Sequence, residues 1–301
     1  MTIAGTPKIS IVTPSFNQAE FIEDTIQSVL GQRYPNLEYV IIDGGSKDGS
    51  ADIIRKYEEK LHYWASEQDA GQGDAINKGF SHTSGEIMAW INSDDKYTPW
   101  ALKVVSEIFS RFPHVNWIVG YNSWWNEHGE MTSAKRVPKN IYDYGLGNYD
   151  WIQQESVFWR RSLWEKAGGN IDASYKLMVD GELWSRFFLH DDLYSVDCVL
   201  GGYRVHSSNR AALNQAACTD EMERIIGKMT SVCTDDFLKT RKSLRFAQKL
   251  QKLPILKYLP VSEAYGRFIN PAAFDKASYK NIHYLDGAWT ERKLPFSVKS
   301  R

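Results

Sequence analysis

Two consecutive carboxylates, Asp94 and Asp95, follow the apolar run Ile87 to Ile91 through Asn92 and Ser93. A short apolar run ended by turn residues reads as a buried strand. Carboxylates at the C-terminal end of such a strand sit where open α/β sheets bind ligands. Two like charges that close repel each other unless a cation is shared. Hard divalent ions such as Mg²⁺ or Mn²⁺ take oxygen ligands and bridge phosphates, so the pair points to a metal-bound phosphorylated substrate. An isolated Ser-Asp-Asp is better read as a solvated turn. That reading weakens here, because three other predicted strand ends carry matching chemistry. They are Thr13-Pro14-Ser15-Phe16-Asn17, Asp43-Gly44-Gly45-Ser46 and Glu67-Gln68-Asp69. Strand ends on one edge of a parallel sheet converge, so the four loops should line one pocket. Asp43 can accept from a base N–H or from ribose hydroxyls, and the adjacent Gly44 and Gly45 let backbone approach a ligand closely.

The elements that must hold these loops follow from periodicity. Residues 8–13 (KISIVT), 37–42 (LEYVII), 61–66 and 87–91 read as strands. Helices are expected over 19–30, 50–57 with Ser50 as cap, 74–80 and 99–112. Strands alternating with helices imply right-handed parallel crossovers and a Rossmann-like, mostly parallel sheet with helices on both faces. After residue 115 the pattern changes. Residues 116–125 and 130–137 are strand-like around a turn at 126–129, and 142–150 read as a loop. A strand at 156–159, helices at 162–167 and 180–189, and a strand pair within 193–203 complete this half. From about residue 210 the chain reads as a mainly helical extension. The expected division is 1–209 for the main α/β domain, split near residue 115 into two halves, and 210–301 for the extension.

Bulk properties remove several function classes. A chain of 301 residues with a formal net charge of −1 offers no overall electrostatic case for nucleic acid. The three cysteines form no C-x-x-C pair, so neither a zinc site nor a disulfide framework is expected, and a reducing, cytoplasmic compartment fits. No apolar run reaches the ~18 residues of a membrane span, and the N-terminus lacks a secretory h-region. The 11 tryptophans suit a large aromatic core or sugar-stacking platforms, with the core as default. Residues 238–259 combine Lys239, Arg241, Lys242, Arg245, Lys249, Lys252 and Lys257 with leucines and no acid. Such a segment reads either as a peripheral membrane contact or as an ordinary solvated helix.

The ordered motifs resemble a known family. Thr13-Pro14-Ser15-Phe16-Asn17, Ser28-Val29-Leu30, Asp43 to Ser50, Asp74-Ala75-Ile76-Asn77-Lys78-Gly79 and Asn92-Ser93-Asp94-Asp95 look like the family 2 glycosyltransferases. The flavour is similar to bacterial O-antigen and exopolysaccharide transferases. The resemblance covers roughly residues 8–207. It implies a GT-A fold, a nucleotide-diphosphate sugar donor, Mn²⁺ or Mg²⁺, and inversion at the anomeric carbon. It places Thr13, Pro14, Ser15, Asn17, Asp43, Gly44, Asp74, Asn92, Ser93 and Asp94 around the donor. Ile76 stands where many members carry an arginine, so Lys78 is the substitute cation. Asp94 and Asp95 fall on the family's Asp-x-Asp region, where Asn92 replaces the first aspartate, and their order stays open. His206 matches a late motif and would complete the metal shell. Asp180, near the family's helix-start acid, would be the base, with Glu182 as runner-up and helix capping as the plain alternative. Trp151, Gln153, Gln154, Glu155, Glu182 and Trp184 are acceptor candidates, having an aromatic face or amide and carboxylate partners for a sugar. The acceptor would be a glycan or a lipid-linked hydroxyl, and a homo-oligomer stays open. A non-catalytic sugar-nucleotide-binding module and a nucleotidyltransferase are the competing readings.

Overall fold

The computed structural model describes residues 5–147, 152–209, 214–253 and 261–297. The first half runs β1 (Ile9–Ser15), α1 (Ile22–Leu30), β2 (Leu37–Asp43), α2 (Ser50–Arg55), β3 (Tyr63–Ser66), α3 (Gln72–Ser81), β4 (Ile87–Trp90), β5 (Lys96–Tyr97) and α4 (Ala101–Arg111). Then come β6 (Trp117–Val119), β7 (Asn122–Trp125), β8 (Met131–Lys135), α5 (Ile141–Gly145), β9 (Val157–Arg160), α6 (Arg161–Lys166), α7 (Val179–Phe187), β10 (Tyr194–Val196) and β11 (Gly201–Arg204). The extension holds α8 (Gln215–Ser231), α9 (Asp235–Gln251), α10 (Val261–Phe268), α11 (Pro271–Lys276), β12 (Tyr279–Leu285) and β13 (Ala288–Leu294).

The main sheet has nine strands in the order β13-β12-β10-β6-β9-β4-β1-β2-β3. β1 pairs parallel with β2 and β4, and β2 with β3, whereas β9 runs antiparallel to both β4 and β6. All seven residues of β1 are buried, as a strand covered on both faces requires. Pro14 is tolerated because the register with β4 ends at Val12↔Trp90, before the missing N–H is needed. A smaller sheet, β5-β11-β7-β8, flanks the second half. Helix α4 buries Leu102, Val105, Ile108 and Phe109 at helical spacing, the pattern that predicted it.

Three local expectations change. Ser50 is the first residue of α2 and does not cap it; Gly49, at φ 99°, holds the cap position. Residues 141–145 form a helix inside the predicted loop. Asn140 and Asp143 make a reciprocal capping box there, a sequence signal that the tyrosines and glycines obscured. The extension is helical only as far as Lys276. Its last two strands pair with each other around Asp286-Gly287, both at positive φ, and β12 adds in parallel to β10. An Asp-Gly pair between two strand-like runs is a strong hairpin signal. Residues of the extension therefore complete the main sheet.

Candidate active site

The C-terminal ends of β1, β2 and β4, the start of α3 and the start of α7 enclose a cavity of about 490 Å³. Among the described residues five carboxylates line it, Asp69, Asp94, Asp95, Glu155 and Asp180, against a single lysine, Lys176. Carboxylates gathered in this way disfavour a bound diphosphate unless positive charge offsets them.

On the β1–β2 side, Pro14, Ser15, Phe16 and Gly44 form the wall. Phe16 is 61% exposed and offers an open ring face. A Cβ on Gly44 would meet Asp69 Oδ2 at 2.9 Å, so a larger residue there would push the Asp69 side chain aside. Thr13, Asn17 and Asp43 build the loops behind that wall. Thr13 shares a hydrogen bond with the Tyr39 hydroxyl at 3.0 Å. Asn17 accepts from the Lys47 N–H at 3.0 Å. Asp43 is fully buried and accepts from the Gly45 and Ser46 N–H groups and the Ser46 and Ser66 hydroxyls. Its carboxylate is occupied by its own loop and by Ser66 of β3, and it does not line the cavity, which corrects the expectation that it faces base or ribose.

Helix α3 supports the site from behind. Asn77 exchanges two hydrogen bonds with Ile171, at 2.7 and 2.9 Å. Gly79 lies so close to β1 that a Cβ would meet Val12 Cγ1 at 2.4 Å. Ile76 is core. Asp74 and Lys78 pair with each other at 3.4 Å, and Lys78 reaches Glu67 at 3.1 Å; neither lines the cavity. Lys176 supplies the cavity's cation in place of Lys78.

The β4 end behaves as two different carboxylates. Asp94 is half-buried, and its Oδ2 lies 3.1 Å from His206 Nε2. Ser208 Oγ lies 2.8 Å from the other ring nitrogen, and the ring packs on Phe21 at 4.5 Å between centroids. Asp95 is 1% exposed; it accepts from the Arg204 N–H at 2.8 Å and the Asn92 amide at 3.3 Å. Burial pushes its carboxyl well above the ordinary range, and the charge of Glu155 adds to this. Burial also pushes Glu155 upward. Asp95 lines the cavity beside Asp94 and also braces the β4 turn against β11. Asn92 and Ser93 stay at the wall, with Asn92 accepting from Gln72 at 2.7 Å. Among the described residues no group of three or more His, Cys, Asp or Glu side chains is gathered as a metal shell.

Asp180 lies in the first turn of α7 and lines the cavity. Burial raises its carboxyl to about 6, against partial relief from the Gly181 and its own N–H groups. Gln154 and Glu155 line the same side, and the Gln154 amide donates to the Trp90 carbonyl. Other acceptor candidates do not reach the cavity. Gln153 accepts from the Ser123 N–H at 2.6 Å. Glu182 binds Arg186, at 2.7 Å between Oε2 and the guanidinium, and Arg186 in turn holds the Asn170 carbonyl. Trp184 is 1% exposed and stacks on Trp90 at 5.5 Å, one layer beneath the cavity floor. Trp151 lies outside the described residues.

Sequence reasoning also missed the strap that carries Lys176 and Leu177 into the cavity. Glu221 of α8 accepts from three consecutive N–H groups, Lys176, Leu177 and Met178, at 3.1, 3.1 and 2.9 Å. Lys176 Nζ adds bonds to the Ala70 and Ala173 carbonyls. Gln72 and Asn209 are further lining residues that no motif announced, and Tyr203 and Ser208 line the cavity from the two ends of the His206 motif. They meet only through the fold.

A mostly parallel sheet with a carboxylate-rich cleft at its strand ends is the GT-A design of sugar-transferring enzymes. Solved structures of that class overlay on this chain. The 1–349 portion of TarS from S. aureus, in complex with UDP-GlcNAc, matches over 96% of this chain and 99% of its own, with a TM-score of 0.54 at 14% identity. The mannosyltransferase PcManGT from Pyrobaculum calidifontis, in complex with GDP-Man and Mn²⁺, matches over 90% and 73%, with a TM-score of 0.53 at 18% identity. Residues 10–172 match Glycosyl transferase family 2, and the chain belongs to that family. Relatives include an uncharacterized glycosyltransferase of Rickettsia prowazekii, 29% identical over 69% of this chain and 68% of its own. TuaG of Bacillus subtilis, a glycosyltransferase named for teichuronic acid biosynthesis, is 32% identical over 47% of this chain and 58% of its own.

Proposed function

We propose that the protein moves one sugar from a nucleoside-diphosphate donor to a glycan hydroxyl with inversion, using Asp180 as general base. The observation that carries this reading is Asp180 itself. It is a helix-start carboxylate inside the cavity, raised to about 6, while its neighbours Asp95 and Glu155 are turned towards each other. A base is most effective when its pKa lies near the working pH. In a single in-line displacement the acceptor oxygen attacks the anomeric carbon as the bond to the diphosphate breaks. Asp180 takes the acceptor's proton, and both electrons of the broken bond leave with the nucleoside diphosphate.

The donor class comes from two sources. The overlaid proteins hold UDP-GlcNAc and GDP-Man, which share only the nucleoside-diphosphate-sugar chemistry. In this chain, Pro14 to Phe16 with Gly44 give a backbone-lined slot beside an exposed ring, suited to a nucleoside. Lys176 is placed to meet diphosphate charge. The donor set also fits a divalent ion: one half-buried carboxylate, Asp94, and one imidazole nitrogen, His206 Nε2, meet at 3.1 Å beside the cavity. Mg²⁺-type ions are commonly held by one or two protein ligands plus phosphate oxygens. Such an ion would offset the charge that develops on the leaving diphosphate. Gln154 and Glu155, next to Asp180, form the acceptor wall.

The stereochemistry gives the test. Proton NMR of the product formed with an α-linked donor should show a β-linkage. An α-linked product would mean retention and would remove Asp180 from the role of base. A protein that binds donor but transfers nothing to any glycan would instead be a sugar-nucleotide-binding module.

A further inference from the structure

Helix α9 has two unlike faces. One is buried: Phe237, Thr240, Leu244 and Ala247 pack against Tyr142 and Leu146 of the α5 region and against Ala273 and Ala277. The other, on the same helical spacing, exposes Lys239, Lys242, Arg245, Lys249 and Lys252. Between these cations stand Leu238, Phe246 and Leu253, with exposures of 38%, 52% and 48%. The only acids on α9 are Asp235 and Asp236 in its first turn, and Asp236 is tied to Lys276 at 2.6 Å. The patch continues onto the end of α10. Phe246 packs on Tyr265 at 5.6 Å, and Asn270 donates to Ser243 at 2.7 Å. These contacts bring Phe268 and Ile269, 76% and 70% exposed, beside the cationic face.

We propose that this face docks on the surface of an anionic lipid bilayer, with α9 lying in the interfacial plane. Charge complementarity favours that occupant. Cations of one sign line the face although the whole chain carries a formal charge of −1. Lysine and arginine beside a negatively charged membrane are attracted to its headgroups. The interleaved apolar side chains decide between a membrane and a nucleic acid. A phosphate backbone gives exposed Phe246, Leu253, Phe268 and Ile269 nothing to bury against, whereas the acyl boundary of a bilayer does. Contact would be peripheral, since no helix among the described residues is long and apolar enough to cross a membrane. No residue of the face lines the cavity. The proposal stands apart from the transfer reaction and survives its failure.

Cutting the chain after residue 236 would remove two strands of the main sheet, so the test uses point variants of the full chain. Co-sedimentation is measured with phosphatidylcholine vesicles and with vesicles containing phosphatidylglycerol, at low and high salt. Binding is expected only to the phosphatidylglycerol vesicles, weakening as salt screens the charges. Lys242→Glu/Arg245→Glu/Lys249→Glu should weaken it by about tenfold or more. Phe246→Ser/Leu253→Ser should weaken it while leaving the salt slope in place. Circular dichroism and donor hydrolysis should match the parent in both variants; if the charge reversal unfolds the helix, the Lys→Gln/Arg→Gln set at the same positions replaces it. Wild-type protein that ignores phosphatidylglycerol vesicles at low salt overturns the proposal. So does undiminished binding by the triple variant. Equal affinity for duplex DNA, insensitive to Phe246→Ser/Leu253→Ser, would assign the face to nucleic acid. A solution mass that falls from dimer to monomer in the triple variant, without vesicle binding, would assign it to a second copy of the chain.

Discussion

The two ends of the main sheet bury carboxylates in opposite ways. At the N-terminal end, Glu38 of β2 accepts from the Ser10 and Ser84 hydroxyls, the Ser84 and Gly85 N–H groups and Lys8. Burial alone would raise its carboxyl, yet these bonds bring it down to about 2. At the C-terminal end, Asp180 is raised to about 6 by burial that two backbone N–H bonds only partly offset. Both are carboxylates taken out of water, one on a strand and one at a helix start; the number of donors differs. A carboxylate surrounded by donors holds the fold together, and one left short of them is poised to take a proton.

The largest effect should come from the under-satisfied end. Asp180→Asn keeps size and helix-start geometry but cannot accept a proton. Transfer should fall by roughly 10²–10⁴-fold while donor affinity, read by calorimetry, stays near that of the parent. Near-parental transfer would move the base elsewhere, and Glu155 is the next carboxylate in the cavity.

Metal removal should come next. Chelation should abolish transfer, with recovery on adding Mn²⁺, and Asp94→Asn should cost roughly 10²–10³-fold at fixed metal. Full activity after exhaustive chelation would leave Lys176 to offset the diphosphate charge alone.

A smaller effect is expected at the strap. Glu221→Ala releases the three N–H groups that fix Lys176, Leu177 and Met178. A loss of roughly 10–100-fold in kcat/KM is expected from misplacement of the cavity wall. Glu221→Gln keeps an acceptor oxygen and should restore part of it. A parental KM and kcat in the Ala variant would make Glu221 a plain packing contact.

The smallest effects are on stability, and they have opposite signs at the two ends. Glu38→Gln should destabilise by about 1–3 kcal/mol at pH 7, because buried donors lose a charged acceptor. The folded carboxyl lies near 2, below its ordinary 4.5, so its contribution is full above about pH 4.5 and fades as pH falls towards 2. Asp180 is the reverse case. Its folded carboxyl is raised from 3.8 to about 6, so its ionisation costs folding free energy from about pH 4 upward and in full above about pH 6. Asp180→Asn should stabilise the fold by roughly 1–3 kcal/mol at pH 8, and the gain should disappear below pH 4. Chemical denaturation across pH reads both.

Much of the site was legible because its motifs sit at predictable strand ends. Asp94, Gly44, Pro14 and Ser15 line the cavity where parallel strands must deliver them. The family resemblance supplied Asp180, which spacing alone could not, and the amide and carboxylate chemistry of Gln154 and Glu155 marked them as candidates for the wall beside it. Failures had physical causes. Glu182 and Trp184 share a helix with Asp180, but one turns to Arg186 and the other lies a layer deeper on Trp90. Asp43 and Lys78 had the right chemistry and found protein partners nearby, Asp43 in Ser46 and Ser66 and Lys78 in Glu67 and Asp74. Lys176 and Glu221 gave no sequence signal, since the strap exists only where α8 packs beneath α7. The hairpin at Asp286-Gly287 was readable but was overridden by the helical composition before it.

The pH dependence of kcat/KM for sugar transfer tests the base assignment most directly. An acid limb with an apparent pKa near 6 is predicted, because Asp180 must be ionised to accept the acceptor's proton. That limb should persist in Glu155→Gln and be absent from the residual activity of Asp180→Asn. A profile that is flat from about pH 5 to 8, or a limb unchanged in Asp180→Asn, would contradict the assignment.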